Sequence, residues 1–453
     1  MLRNPSLAEI VEITNGELLS EGAHGQCLAV STDTRTIQKG SLYIPLKGDR
    51  FDGHNFAENA REAGALAMLT ERELAVDLPQ IKVKDTLLAL ADIAAWHRDQ
   101  FNGRVVAVTG SAGKTTVKQL MGAVLNQRYK TLITQGNLNN HIGAPLTLLS
   151  LQPEHEAAMI ELGASAVGEI AYTARLTRPE VGILTNVVPA HLEGFGSIDN
   201  IALTKGELID AVTPSGTMVL NADDHYFTQW LSRATALNVI SFGFSDRADV
   251  TAKDICESLT GSEFTLVLPD ESVSVSLSLS GLHNVRNALA VAAAASSLGF
   301  SSAEIKAGLE QSAAVAGRLE RCKGQRGQVI FNDAYNANPE SFCAAIDVLK
   351  LAEGRRILVM GDMGELGDAA TAMHVRVGNY AKDQSIECLV ATGPLSKSAV
   401  EAFGDNGHWF ENREAVTKFL TKTTKSGDTL LVKGSRSAGM DQVVRSLADK
   451  EED

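Results

Sequence analysis

The sequence predicts an α/β protein of three domains: an N-terminal α/β domain over residues 1–102, a central phosphate-loop domain with a mostly parallel sheet over 103–316, and a C-terminal Rossmann-like domain over 317–453. Three observations carry this. A chain of 453 residues exceeds what one hydrophobic core usually organises. Short apolar runs alternate with helical patterns in two separate series, the signature of buried parallel strands. A glycine-rich turn, "VTGSAGKTTVKQL" (108–120), joins the first of those runs to a helix.

In the first region, "GSLYIPLKGDRFDGHNF" alternates apolar and polar residues before a Gly/Asp-rich loop. Two helical stretches follow, "HNFAENAREAGALAML" (54–69) and "TLLALADIAAWHRDQF" (86–101), with apolar residues at three- and four-residue spacing. "FNGR" reads as a linker. In the second region "VVAVTG", "AAMIELGA", "VGILTNV" and "TMVLNADD" read as buried strands, and the alternating "SVSVSLSLSG" as part of an antiparallel hairpin before the alanine-rich helix "NVRNALAVAAAASSLGF". In the third, "QVIFNDAY", "RRILVMGD", "CLVATG" and "DTLLVKGS" are each followed by a helical stretch. Ligands of such sheets sit beyond the carboxyl ends of the strands. The trailing segments "NDAYNANPES", "GDMGELG", "TGP" and "KGSRS" are therefore expected to line one edge.

Composition narrows the function. Hydrophobic residues at 44% and charged residues at 21% are those of a globular protein. A net charge of -14 argues against nucleic acid and against acidic membrane surfaces. The five cysteines are odd in number, scattered and without a CxxC pair, so neither a zinc ribbon nor a disulfide framework is supported. No signal-like segment and no run of eighteen apolar residues occurs. The chain is read as cytoplasmic and, since nothing demands a partner chain, as a monomer.

The loop departs from the full P-loop pattern, because Val108 stands where the first glycine belongs. What remains is Gly110, Ser111, Ala112, Gly113, Lys114, Thr115 and Thr116. Its backbone amides, the positive end of the following helix and the Lys114 ammonium suit phosphate, and the Thr115 hydroxyl suits Mg²⁺. Glu161 ends a buried strand beside this loop. Burying that carboxylate is expensive without a partner, either a metal or a cap or ion pair. His191 and Lys205 follow another strand within "TNVVPAHLEGFGSIDNIALTKGEL". By spacing alone they read as a hydrogen-bonded histidine and a solvated helical lysine.

Taken together and in order, "TGSAGKTT", "ELGAS", "NVVPAHLEGFGS" with "TKGE", "GLHNVRNALAV" and "NDAYNANPES" resemble the Mur ligases, the ATP-dependent amide ligases of peptidoglycan precursor synthesis. The resemblance spans all three regions. "DAYNANPES" with "GDMGELG" is similar to the member that adds D-alanyl-D-alanine to UDP-N-acetylmuramoyl-tripeptide, and the "DNPR"-type signature of a neighbouring member is absent.

The resemblance implies a UDP-substrate domain, a central ATPase domain and a C-terminal domain that closes over ATP. It makes Thr115, Glu161, His191 and Lys205, the last as a carbamate (N6-carboxylysine), the Mg²⁺ set, with Lys114, His191, Lys205 and Arg318 serving catalysis. His283, Asn284 and Asn287 match nucleotide contacts, although capping and solvated helix positions are the plainer reading of the residues. Arg318 matches an arginine delivered to the phosphates, and Asp333 an aspartate that reads ribose. Thr34, Arg35, Lys47, Gly48, Asp52 and His54 match the UDP-sugar segment. Asn139 and Asn140 match contacts to the muramoyl-peptide arm. Tyr335, Asn336 and Asn338 match the dipeptide side, with Arg436 reaching either the dipeptide carboxylate or the phosphates. Two alternatives stand beside this: another Mur or folylpolyglutamate-type ligase, and a P-loop switch that hydrolyses nucleotide.

Overall fold

The computed structural model describes residues 1–453 apart from 21, 49–50, 313–314 and 450–453, so the end of the C-terminal span read above lies outside the described residues. The first helix, Leu7–Thr14, starts at a reciprocal cap: the Ser6 hydroxyl accepts from the Glu9 amide at 3.2 Å while the Glu9 carboxylate accepts from the Ser6 amide at 2.9 Å. The N-terminal sheet runs Glu17–Leu18, Gln80–Lys82, Ala67–Thr70, Ser41–Tyr43, Ala29–Ser31, parallel except at its first pair.

One expectation fails here. The helical stretch read over 54–69 is a 3₁₀ turn Gly53–Phe56, a helix Ala57–Glu62 and then the strand Ala67–Thr70. Gly64, at φ +86°, turns the chain after the helix. The run that follows is buried on both faces, where periodicity does not separate strand from helix.

Helix Thr86–Asp99 leaves this sheet and packs on Gly143–Leu149 of the central domain, so Leu90, Ile93 and Ala94 share one core with Leu148, Ile160 and Ile170. His97 Nε2 donates to the Leu151 carbonyl at 3.1 Å, and Arg98 caps the carbonyls of Thr177 and Arg178. The N-terminal and central domains are joined through packed apolar surface, not only by a linker.

The central sheet is parallel throughout, in the order Asn238–Phe242, Thr217–Asn221, Val181–Leu184, Arg104–Thr109, Ala157–Glu161, Thr131–Ile133. Chain order reverses about Arg104–Thr109, the position at which such sheets open a ligand crevice. Helix Leu282–Ser297 packs against Lys114–Leu125, and every residue from Ala288 to Ala295 is fully buried. Small side chains let the two helices approach closely. The alternating segment belongs to a three-stranded antiparallel sheet, Thr251–Ser258, Gly261–Val267 and Ser272–Leu277.

The C-terminal sheet runs Glu320–Lys323, Val329–Asp333, Thr429–Lys433, Arg356–Gly361, Cys388–Thr392, Gly407–Phe410, parallel except at its first pair. Among the described residues no helix is long and apolar enough to cross a membrane.

Candidate active site

The carboxyl ends of the central and C-terminal sheets face a common cleft of about 1060 Å³, lined by residues of both domains. Its floor is the glycine-rich loop. Gly110 (φ +145°) and Gly113 (φ +83°) hold backbone shapes that side chains disfavour. A Cβ on Gly110 would stand 1.9 Å from Thr185 Oγ1, and one on Gly113 would stand 2.5 Å from Asn287 Oδ1. Gly113 opens helix Lys114–Leu125 without a side-chain cap, leaving the helix's first amides free for an anion.

Thr185 and Asn186, at the end of the neighbouring strand, buttress the loop. The Ser111 amide donates to the Asn186 carbonyl at 2.9 Å, the Ala112 amide to Asn186 Oδ1 at 2.9 Å, and Thr185 Oγ1 to the Ala112 carbonyl at 2.6 Å. Neither residue was among the sequence candidates. Their signal was the polar pair ending the apolar run "VGIL".

Lys114 folds back, donating to the carbonyls of Gly110 at 2.7 Å and Ser111 at 3.3 Å. Burial drives its ammonium down to about 8, against the pull of Glu161 and with the help of Arg318. Glu161 ends its strand fully buried. Its Oε1 accepts from Asn139 Nδ2 at 2.7 Å and from the Thr115 hydroxyl at 3.4 Å. Its Oε2 lies 3.2 Å from Lys118 Nζ yet receives no aligned hydrogen bond. Lys118, wholly buried, also donates to the Gly136 carbonyl at 2.9 Å. Sequence reasoning missed Lys118. It lies one turn after Lys114, where a helical lysine ordinarily reads as solvated.

Arg318 spans the domains. Its Nη2 donates to Thr115 Oγ1 at 3.1 Å, its guanidinium lies 4.5 Å from the centre of the Tyr335 ring, and its buried Nε has no partner. Arg436 approaches the same ring at 5.9 Å. Asp333 is held by Lys433 and accepts the Leu319 amide at 3.2 Å. Asn336 gives its carbonyl to Lys433 Nζ at 3.1 Å, and Asn338 caps helix Pro339–Leu349. His283, Asn284 and Asn287 line the wall beside the loop; Asn284 donates to the Ser280 carbonyl at 2.8 Å, and burial pushes the His283 imidazolium down to about 4. Asn140 lines the cleft while capping the Gly143 amide at 2.8 Å.

His191 reaches the cleft from the left-handed region at φ +54°, its Nδ1 against the Glu365 carboxylate of the C-terminal domain. Lys205 stands behind the cleft wall, almost wholly buried. Its Nζ has the Ala164 carbonyl at 3.3 Å and the Phe195 ring centre at 5.4 Å. Burial, reinforced by Lys114, puts its ammonium well below the usual lysine range, with Glu169 and Glu207 only partly opposing.

The first-domain candidates are not among the residues lining this cleft. Lys47 pairs with Glu71, and Glu71's amide donates to His54 Nε2 at 3.2 Å. Asp52 accepts from the His54 amide at 2.9 Å and Nδ1 at 2.7 Å, and from Arg72 at 3.1 Å. Gly48 lies on the short strand paired with Phe51–Asp52. Thr34 and Arg35 form a 3₁₀ turn in which the exposed Arg35 binds Asp33.

Among the described residues no three His, Cys, Asp or Glu side chains cluster as a metal cage. Magnesium does not require one: it keeps waters and takes a few hard oxygens together with phosphate. The Thr115 hydroxyl and the under-bonded Glu161 carboxylate beside the phosphate loop fit that demand.

A parallel sheet carrying a phosphate loop, a second Rossmann-like sheet and an arginine crossing between them define a nucleotide-dependent enzyme with a cleft shared by two domains. The family profiles agree. "Mur ligase family, catalytic domain" matches residues 28–98, "Mur ligase middle domain" 108–295 and "Mur ligase, glutamate ligase domain" 317–436. The chain belongs to the Mur ligase family. It is 45% identical to the UDP-N-acetylmuramoyl-tripeptide–D-alanyl-D-alanine ligase of Escherichia coli (strain K12), over 98% of each chain. MurF from Acinetobacter baumannii superposes with a TM-score of 0.93 at 34% identity, covering 98% of this chain and 99% of that one. MurF ligase from Thermotoga maritima in complex with ADP superposes at 0.84 with 28% identity, covering 92% and 96%.

Proposed function

We propose that this chain is an ATP-dependent ligase joining D-alanyl-D-alanine to UDP-N-acetylmuramoyl-tripeptide, releasing UDP-N-acetylmuramoyl-pentapeptide, ADP and phosphate. The observation that carries it is the shared cleft, with a phosphate loop on one wall, the "NDAYNANPES" loop on the other and Arg318 between them. Relatives bearing that enzyme's name over nearly the whole chain, and one holding ADP, support the substrates.

The carboxylate of the tripeptide attacks the γ-phosphorus of ATP, the bond to the ADP oxygen breaks, and an acyl phosphate forms. The free amine of the dipeptide then attacks the acyl carbon; phosphate leaves, the nitrogen loses its proton, and an amide remains. Two anions must approach, so the cleft must neutralise charge before it can orient. Lys114 leaves its loop carbonyls for the phosphates, and Arg318 brings its unpaired Nε to the same oxygens. Magnesium, when bound by Thr115, Glu161 and His191, supplies the further positive charge. The acyl phosphate is open to water, which an approaching C-terminal domain excludes. Tyr335, Asn336, Asn338 and Arg436 face the dipeptide side, and Asn139 and Asn140 the peptide arm. His283, Asn284, Asn287 and Asp333 surround the nucleoside. Thr34, Arg35, Lys47, Gly48, Asp52 and His54 hold the UDP end. A monomer acting in the cytoplasm is part of this reading.

Lys205 is proposed to act as a carbamate. Its deep burial with a single carbonyl partner favours the neutral amine, the form whose lone pair adds to CO₂ with loss of a proton. The product is an anion where an ammonium would oppose Lys114. Equilibration with ¹³C-bicarbonate should give a carbamate carbon resonance that Lys205→Ala lacks, and an unchanged spectrum in that variant removes the assignment.

The ligase reading is tested by phosphate release from ATP and Mg²⁺, with the two acceptor substrates supplied singly and together. Release that requires both, with a product heavier by the dipeptide, is expected. Release independent of both would return the chain to plain nucleotide hydrolysis.

A further inference from the structure

The "GDMGELG" segment sits at the cleft, yet the reaction above uses none of its side chains. Its backbone is fixed from several sides. The Met363 amide donates to His374 Nε2 at 3.0 Å, and His374 Nδ1 donates to the Ala370 carbonyl at 2.7 Å. Asp362 accepts from the Ser396 amide at 2.7 Å and hydroxyl at 2.6 Å. Met363 and Leu366 are buried in the C-terminal core. Between these anchors Glu365 is forced outward in the left-handed region at φ +61°. Such a conformation disfavours a residue with a Cβ, and persists where the surroundings over-determine it.

Glu365 meets the central domain twice. Its carboxylate contacts His191 Nδ1, and its carbonyl accepts the Glu193 amide at 3.4 Å. His191 is itself left-handed. Two disfavoured backbones, one from each domain, thus face each other across the cleft. A carboxylate on Nδ1 fixes the proton there and leaves the Nε2 lone pair free. Histidines that ligate metals are oriented by this kind of contact.

We infer that Glu365 is a positioning residue which, from the C-terminal domain, orients His191 as a metal ligand and so couples binding of the divalent ion to closure of that domain. The inference rests on the proposal that His191 holds the ion. The coupling is reciprocal: an ion that prefers the oriented histidine must stabilise the closed arrangement by the same factor. The C-terminal sheet and the metal site then act as one unit, although that domain contributes no ligand to the ion.

The test uses Mn²⁺ with the full chain and ADP, following free Mn²⁺ by electron paramagnetic resonance. Glu365→Ala should weaken Mn²⁺ about tenfold or more, in the range seen when outer-shell partners of metal-bound histidines are removed. Metal-free ADP binding should stay unchanged. Glu365→Gln keeps an oxygen for the Nδ1 proton and should restore most of the affinity. His191→Ala should be as weak as Glu365→Ala, and the double variant no weaker than His191→Ala alone. Wild-type binding in Glu365→Ala alongside weakened binding in His191→Ala overturns the inference but leaves the metal reading. A glutamine variant as weak as alanine also overturns it. Unchanged binding in His191→Ala overturns the metal reading and the inference with it.

Discussion

Glu161 gathers donors from Thr115 and Asn139 on one oxygen of a buried carboxylate, with the Lys118 ammonium 3.2 Å from the other. Lys118 is the counter-charge that makes this burial tolerable, since an unpaired carboxylate at this depth costs several kcal/mol. Lys118→Met should therefore destabilise the protein by about 3 kcal/mol, seen as an earlier urea transition at unchanged slope. Adding Glu161→Gln should recover more than half, because the stranded charge is then gone. If the double variant is weaker than Lys118→Met, the pair is not the source of the loss. The phosphate loop was legible because glycines, lysine and threonine at that spacing have few other uses. Lys118 was not, since only strand register, which sets Glu161 beside Val108, brings a carboxylate to its tip. Asn139 was read as a substrate contact, and its donation to Glu161 is a further link that spacing could not show. Asp333 was legible as a strand-end acid, but its partner Lys433 lies 100 residues away in sequence.

The glycine-rich turn works as an element because two of its residues occupy backbone shapes that no Cβ can share with their neighbours. Gly113→Ala should place a methyl against Asn287 Oδ1 and strain a φ of +83°. The expected result is at least a tenfold loss of ADP affinity by calorimetry, with the urea transition close to wild type because the strain relaxes into the open cleft. An equally large loss of stability with ADP binding preserved would mean that the loop is a packing feature and not a phosphate cradle. At this scale the buried central strands were readable from their apolar runs, and so was the helix Leu282–Ser297. The short edge strands Thr131–Ile133, Asn238–Phe242 and Gly407–Phe410 were not, because an edge needs apolar residues on fewer faces. The strand Ala67–Thr70 was lost to a helical reading for the opposite reason: it is apolar on both faces.

Across the whole molecule, each domain carries a histidine on a helix beside its main sheet: His97 on Thr86–Asp99 and His374 on Ala370–Asp383, both buried, and the half-buried His283 on Leu282–Ser297. Burial pushes the imidazolium of His97 and of His283 down to about 4, and that of His374 down as well. His97 and His283 are therefore neutral in the fold at pH 7 and titrate near 6.5 when unfolded. Between about pH 6.5 and pH 4 the unfolded chain binds the extra protons, so stability is full above that window and falls as the solution is acidified through it. Each of these two histidines contributes up to about 1.4 kcal/mol per pH unit there. This differs from the carboxylates of Asp33 and Asp52, held near 2, whose contribution disappears only at lower pH. The consequences also differ by site. A proton on His97 must be buried between the N-terminal and central domains, where Nδ1 has no partner. A proton on His374 Nε2 removes the acceptor of the Met363 amide and loosens the loop that carries Glu365. His97→Gln keeps a donor for the Leu151 carbonyl but cannot titrate, so it should reduce the stability lost between pH 7 and pH 5 by about 2 kcal/mol. Urea transitions at the two pH values measure this directly, and identical acid losses in variant and wild type would show that His97 takes up its proton in the folded state.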